Sequence, residues 1–308
     1  KSPFKIDNNQ ESKALDMALA RIRQLSAHEI GHTLGFAHNF AASANNRSSV
    51  MDYPHPTLSI VNGIINFDDA YSVGIGDWDK VSVSYNYKEF SSDLDENVEL
   101  QKILENSYSS GHRFISDSDS RPIGGAHPTS HLWDNGAVAT DELDKLLKIR
   151  RIAMNQFSLD HLRIGENYSI LEDRLVPIYF LHRYQLEAVV KQVGGINYNY
   201  GVKGNINYNT YPVNELEQRS ALKSILNAIS PSELMIPKSL QSILMPRTFG
   251  NYRSRESFAS QTGVAFDYLG IANSLSDAIF GMILNSQRVS RLIQQEAVYK
   301  NQLTLNEV

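Results

Sequence analysis

The chain has 308 residues, 42% of them hydrophobic and 20% charged, an ordinary globular profile with room for a sizeable core and two domains. A formal net charge of -5, with Lys and Arg scattered, leaves no basic footprint for nucleic acid and no polybasic stretch for a membrane surface. Cysteine is absent, so disulfides are excluded and any metal must be held by nitrogen and oxygen; no apolar run, even that at Leu175–Leu181, could span a bilayer.

In chain order, the first segment opens at Lys1 without a methionine, an apolar leader or a cleavage pattern, and reads as a processed product or a piece of a longer chain. From Gln10 to Leu34, the spacing of Ala14, Leu15, Ala18, Leu19, Ile22, Leu25, Ala27, Ile30 and Leu34 predicts one helix, with Gly35 as its stop. Residues 39–76 are rich in Asn, Ser, Pro and Gly and read as loop. A short helix is predicted over Asp77–Tyr87, followed by a polar stretch, Ser91–Asn97. A boundary falls within 110–140, where Asp, Ser, Gly and Pro cluster. Beyond it, helical patterns recur at 141–157, 171–193, 214–229, 237–244, 255–268 and 274–300. Between the second and third of these, Ile196, Tyr198 and Tyr200 alternate with Asn, as do Ile206 and Tyr208 after Gly204; this predicts one β-hairpin. No internal repeat is visible.

The chemistry is concentrated at 28–38, His-Glu-Ile-Gly-His-Thr-Leu-Gly-Phe-Ala-His. On a helix, His28 and His32 lie one turn apart on one face and can chelate one ion. Glu29 then sits beside the metal rather than on it, where its carboxylate can take a proton from water activated there. A catalytic zinc needs a third protein ligand. Gly35 supplies a turn with positive φ that lets the chain reverse and bring His38 to the metal. Downstream, Ser49-Val-Met-Asp-Tyr places Met51 as an apolar floor for the imidazoles and Tyr53 within reach of the metal or an oxyanion.

The pattern His28-Glu-x-x-His32-x-x-Gly35-x-x-His38 followed by Met51 resembles the metzincin metalloproteases. The flanking His38-Asn-Phe-Ala-Ala-Ser and the helical remainder resemble the large bacterial Met-zincin peptidases. That resemblance implies a zinc endopeptidase, secreted or periplasmic, with a polypeptide substrate and with His28, His32 and His38 on Zn2+. It implies that Tyr53 acts as a switchable fifth ligand. It also implies that 77–87 closes the catalytic domain, with Val81, Val83 and Tyr85 packed beneath the Met-turn. Residues 54–76 would then wall the S1′ pocket with Ile60, Ile64 and Phe67. Metzincins place a twisted sheet before the active-site helix, and about ten residues are too few for it. The expected fold is therefore mainly α: a truncated lower catalytic subdomain over 1–110 and a helical domain with one small β-hairpin over 111–308. The truncation would expose the active-site helix and weaken metal binding.

Rival readings are set against this one. A gluzincin would take a downstream glutamate, but Glu89, Glu96 and Glu99 lack the Asn-Glu-x-x-x-Asp setting. A non-catalytic protein- or glycan-binding module with a relict zinc site is opposed by the intact Glu29; an amidase acting on a non-peptide substrate stays open. Asp117-Ser-Asp-Ser fails the EF-type calcium pattern and reads as a solvated turn. His127 and His131 read as loop histidines, His55, His112, His161 and His182 as structural, and the Tyr/Asn hairpin as a plain flap.

Overall fold

The structure, a computed structural model, describes residues 8–203 and 210–308, with side chains from Lys13 onward. Helix α1 spans Asn8–Thr33. Gly35, at φ +84°, turns the chain out of it, and the Phe36 amide bonds back to the Gly31 carbonyl at 3.0 Å. The apolar stripe that predicted this helix is largely open: Leu15, Ile22 and Ile30 are each more than half exposed. The face turned inward is Gln24, His28 and Gly31, a 4-then-3 spacing on one side of the helix.

The 39–76 region is less irregular than its composition suggested. A 3-10 turn covers Ala42–Asn45, and strands β1 (Ser59–Val61) and β2 (Ile64–Asn66) pair antiparallel. Asn62 and Gly63 join them with positive φ of 51° and 78°, the combination that suits a two-residue hairpin. Ile60, Ile65 and Phe67 pack against Leu58, Leu146 and Ile149, whereas Ile64 is 66% exposed. These side chains therefore anchor the hairpin to the helical region, and the S1′ lining expected of Ile60, Ile64 and Phe67 is not the arrangement found.

Helix α2 (Asp77–Tyr87) lies where predicted. Helix α3 (Glu96–Ser109) was missed: Asp95 caps it by accepting from the Asn97 and Val98 amides, so the polar stretch ends in a helix start. A one-turn helix, α4 (Asp117–Ser120), leads into α5 (Ala139–Gln156). The predicted 171–193 helix is two, α6 (Ile170–Tyr179) and α7 (Arg183–Val190). Pro177, without an amide hydrogen, sits in the last turn before the break. Strands β3 (Ile196–Asn197) and β4 (Tyr211–Pro212) pair antiparallel, with Ile196 opposite Pro212. Ile206 and Tyr208 lie outside the described residues.

Helix α8 (Glu215–Ala228) follows, then the single turns α9 (Pro231–Leu234) and α10 (Lys238–Gln241). Only that last turn of the predicted 237–244 segment is helical. No helix forms over 255–267; there Arg253 reaches Glu172 and the Gly263 carbonyl, and Asp267 accepts from the Gln261 amide before capping α11 (Tyr268–Ile283). Side chain to backbone bonds thus replace a helical ladder. Asn285 caps α12 (Ser286–Val298), which divides the predicted 274–300 helix.

The main core is built by the helices from α5 onward, with Leu143, Leu171, Leu186, Val189, Ile225 and Ile279 fully buried. Arg288, 1% exposed, donates to the Ile123, Val193 and Met282 carbonyls and ties α12 to the loops after α4 and α7. Among the described residues the architecture is mainly α, with two two-stranded sheets where one hairpin was expected. No described helix is long and apolar enough to cross a membrane.

Candidate metal centre

Each of the three predicted histidines is held by one ring nitrogen. Nδ1 of His28 lies 2.7 Å from the Val50 carbonyl, Nδ1 of His32 lies 2.9 Å from the Phe36 carbonyl, and Nδ1 of His38 lies 2.8 Å from Asp117 Oδ2. All three partners can only accept, so each Nδ1 carries the proton and each Nε2 presents a lone pair. Burial lowers the pKa of His28, which favours its neutral ring.

One ligand nitrogen from each ring falls within a common 4.8 Å span. Nε2 of His32 and Nε2 of His38 are 3.2 Å apart. Two lone pairs facing each other repel, whereas two nitrogens on a tetrahedral zinc stand about 3.3 Å apart. The donor set is all imidazole, the separation is that of a shared ligand edge, and the residues fit a zinc ion. Among the described residues, no other group of three such side chains gathers to hold a metal.

The Met-turn is locked beneath α1 by polar contacts that the sequence did not disclose. Asp79, 4% exposed, accepts from the Val50 amide at 2.8 Å, from Ser49 Oγ at 2.6 Å and from the Gly76 amide at 2.7 Å. The Val50 carbonyl in turn orients His28. Of the apolar face expected beneath the Met-turn, Val83 and Tyr85 are each 38% exposed and Val81 is half-buried. The Asp79 carboxylate of α2 contacts the Met-turn. At the other end of α2, Tyr87 donates to the Leu34 carbonyl at 2.8 Å and braces the Gly35 turn.

Met51 is 2% exposed and lies against Gly31, where an added Cβ would sit 2.2 Å from its sulfur. Gly31→Ala is therefore expected to push Met51 out of place and to cost about 1–3 kcal/mol. Thermal unfolding checks this, and Met51→Ala in the same chain should recover part of the loss by opening space for the new methyl. Gly35, by contrast, has open space around its missing Cβ and is required for its positive φ alone.

Glu29 lies exposed beside His28. The Tyr53 ring is half-buried, with ring centroids 5.3 Å from His28, 4.7 Å from His38 and 5.1 Å from Trp133, on which it stacks. Asp117 sits in a part-exposed single turn, as expected, but is not idle there: it bonds His38 and accepts from Arg121 Nε at 2.5 Å. These two partners hold its carboxyl below the usual range. Arg121 also lies over the Tyr53 ring, at 5.6 Å. Beyond residue 110, Asp117 thus meets the triad, and Arg121 and Trp133 meet the Tyr53 ring beside it; no local pattern announced them.

The remaining histidines serve other ends. His127 bonds the Tyr198 carbonyl at 3.1 Å, and burial pushes its pKa down to about 4. His131 pairs with Glu187 at 3.4 Å, His55 meets the Pro56 carbonyl, and His112 lies 3.3 Å from Ser107 Oγ.

A helix-borne histidine pair, a third histidine returned by a glycine turn and a methionine packed against the same helix at Gly31 form a cluster that could hold a metal ion. A family model described as Met-zincin matches residues 10–308, nearly the whole chain, and the protein belongs to that family. No curated protein and no solved structure matches it.

Proposed function

We propose that the protein is a zinc-dependent endopeptidase, with His28, His32 and His38 as the ligands and Glu29 as general base. The observation that carries this reading is the set of three imidazoles whose Nδ1 atoms are all committed to acceptors while one ring nitrogen of each falls within a common 4.8 Å span. Zinc bound there would lower the pKa of water towards ~7 and polarise a peptide carbonyl. Glu29 takes the proton of the attacking water and returns it to the departing amine, so one carboxylate serves first as base and then as acid. Tyr53 donates a hydrogen bond to the carbonyl oxygen as charge develops on it. Asp117 keeps the proton of His38 on Nδ1 and fixes the ring plane. Residues 1–110 form the lower catalytic subdomain and 111–308 a helical domain that lends it Asp117 and Trp133. A secreted or periplasmic setting belongs to the same proposal and rests on the family resemblance alone.

The test is cleavage of a mixed peptide library by the zinc-loaded chain, read by mass spectrometry. Hydrolysis should stop when zinc is stripped with a chelator and return when zinc is restored. Cleavage that survives stripping contradicts the proposal, as does a zinc-loaded chain that cleaves nothing. Asp117→Ala is expected to weaken zinc binding by roughly 10–100-fold, measured by competition with a chromogenic chelator. An unchanged affinity would show that His38 needs no such support.

A further inference from the structure

A cavity of about 270 Å³ lies behind the Met-turn, bounded by Ser43, Asp52, Asp134 and Asn135 together with Gln24 and Ser48. The first four come from three separate segments: the 3-10 turn, the Met-turn and the loop before α5. None of the four is more than 5% exposed. Ser43 Oγ, Asp134 Oδ1 and Asn135 Oδ1 are buried with no hydrogen-bond partner. Asn135 Nδ2 donates to the His55 carbonyl at 2.7 Å, which fixes the amide orientation and identifies the unpartnered atom as oxygen. Asp52 accepts from the Tyr53 amide at 2.6 Å, and the Ser43 amide and hydroxyl face Asp52 and Asp134 respectively without closing a bond of normal geometry from the hydroxyl. Lys191, whose charge acts on Asp134, gives its ammonium to the Ser120 and Ser130 carbonyls at 2.5 and 2.6 Å.

Two buried carboxylates thus line one cavity and repel each other, with two further oxygens unpartnered beside them, while the cation that also lines it, Arg47, gives its guanidinium to the Asp69 and Ala70 carbonyls. Unmatched, that arrangement is costly. A proton shared by the carboxylates would relieve their repulsion and still leave the Asn135 oxygen without a donor. A cation held in the cavity that they line would answer them.

We propose that Ser43, Asp52, Asp134 and Asn135 form a second metal site, for calcium, that joins the Met-turn to the loop before α5. The ligand atoms are all hard oxygens, which select calcium or magnesium over zinc. Two carboxylates neutralise the two charges of the ion, and the cavity admits the waters that complete a coordination number of six to eight. Calcium tolerates such an irregular set, whereas magnesium demands a near-ideal octahedron. Tyr53 and Trp133 each adjoin one of the carboxylate ligands, and the Trp133 amide donates to the Tyr53 carbonyl at 2.9 Å. The ion would therefore clamp the aromatic stack that borders the histidine triad.

Thermal unfolding of the full, zinc-loaded chain tests this, and it reads stability rather than hydrolysis. Addition of 10 mM calcium should raise Tm by about 3–8 °C, with a smaller rise in magnesium. Asp134→Asn removes one of the two repelling charges, so without calcium it should melt no lower than the parent chain, and its calcium response should vanish. Terbium, a calcium stand-in, should show emission sensitised by Trp133 that calcium quenches by displacement. A parent chain whose Tm ignores calcium overturns the proposal, as does a calcium response that persists in Asp134→Asn. Should Asp134→Asn not fold, Asp52→Asn takes its place with the same two outcomes.

Discussion

Replacing Glu29 with Gln should leave zinc bound and lower peptide hydrolysis by about 10²–10⁴-fold. The substitution keeps the size and polarity of the side chain but removes its capacity to accept a proton. Glu29 makes no hydrogen bond to any of the three imidazoles, whose Nδ1 atoms rest on Val50, Phe36 and Asp117. The ligand set therefore has no reason to loosen. The loss should appear in kcat, with KM little changed, because the proton is moved in the transition state and not on binding. Zinc content measured on the same preparation separates this outcome from simple loss of metal. A Glu29→Gln enzyme that retains the parent rate removes Glu29 from the mechanism.

The largest effect on stability is expected from Asp79→Ala. The carboxylate is buried and satisfies the Val50 amide, Ser49 Oγ and the Gly76 amide together. Its removal strands three donors, each at about 1–3 kcal/mol, so a total near 3–5 kcal/mol is expected. In a chain of this size that corresponds to a fall in Tm of roughly 6–15 °C. Crowding adds to the sensitivity of this joint, since a Cβ on Gly76 would lie 2.0 Å from the Ser48 carbonyl oxygen. Zinc affinity should fall as well, because the Val50 carbonyl that orients His28 belongs to the released turn. Asp79→Asn, which keeps one acceptor oxygen, should fall between the two. An Asp79→Ala chain that melts within a degree or two of the parent would show that the Met-turn is held by other contacts.

The parts of the site legible in sequence are those whose geometry is local. A four-residue interval on a helix brings His28 and His32 together, and a glycine turn of three residues returns His38; nothing distant is needed. Asp79, Asp117 and Trp133 act across tens of residues, and an isolated carboxylate or indole carries no mark of its distant partner. Some misses had a readable signal. Gly31 interrupts a helical pattern at a cost of about 1 kcal/mol against alanine, which already hints at close approach by another group. The Asn62-Gly63 pair is a strong hairpin signal that strands of three residues each made easy to overlook. Pro177 and Asn285 divide two helices that periodicity alone ran together, because apolar spacing continues across a break when both halves face one core.

Periodicity also misled on α1. The stripe through Leu15, Ile22 and Ile30 predicted the helix correctly and its buried face wrongly. Here the inward side is Gln24, His28 and Gly31, and it is held by two bonds to the Val50 carbonyl, from Gln24 at 3.4 Å and His28 at 2.7 Å. Polar contacts, not apolar burial, set the orientation of that helix on the Met-turn.

The histidine triad as a zinc centre is the claim on which the rest depends. Zinc K-edge X-ray absorption on the zinc-loaded chain addresses it most directly. The account predicts three imidazole nitrogens at about 2.0–2.1 Å with one or two further light ligands, and loss of one imidazole in His38→Ala. A shell with fewer than three imidazoles, or a spectrum unchanged in His38→Ala, would place the zinc elsewhere and contradict it.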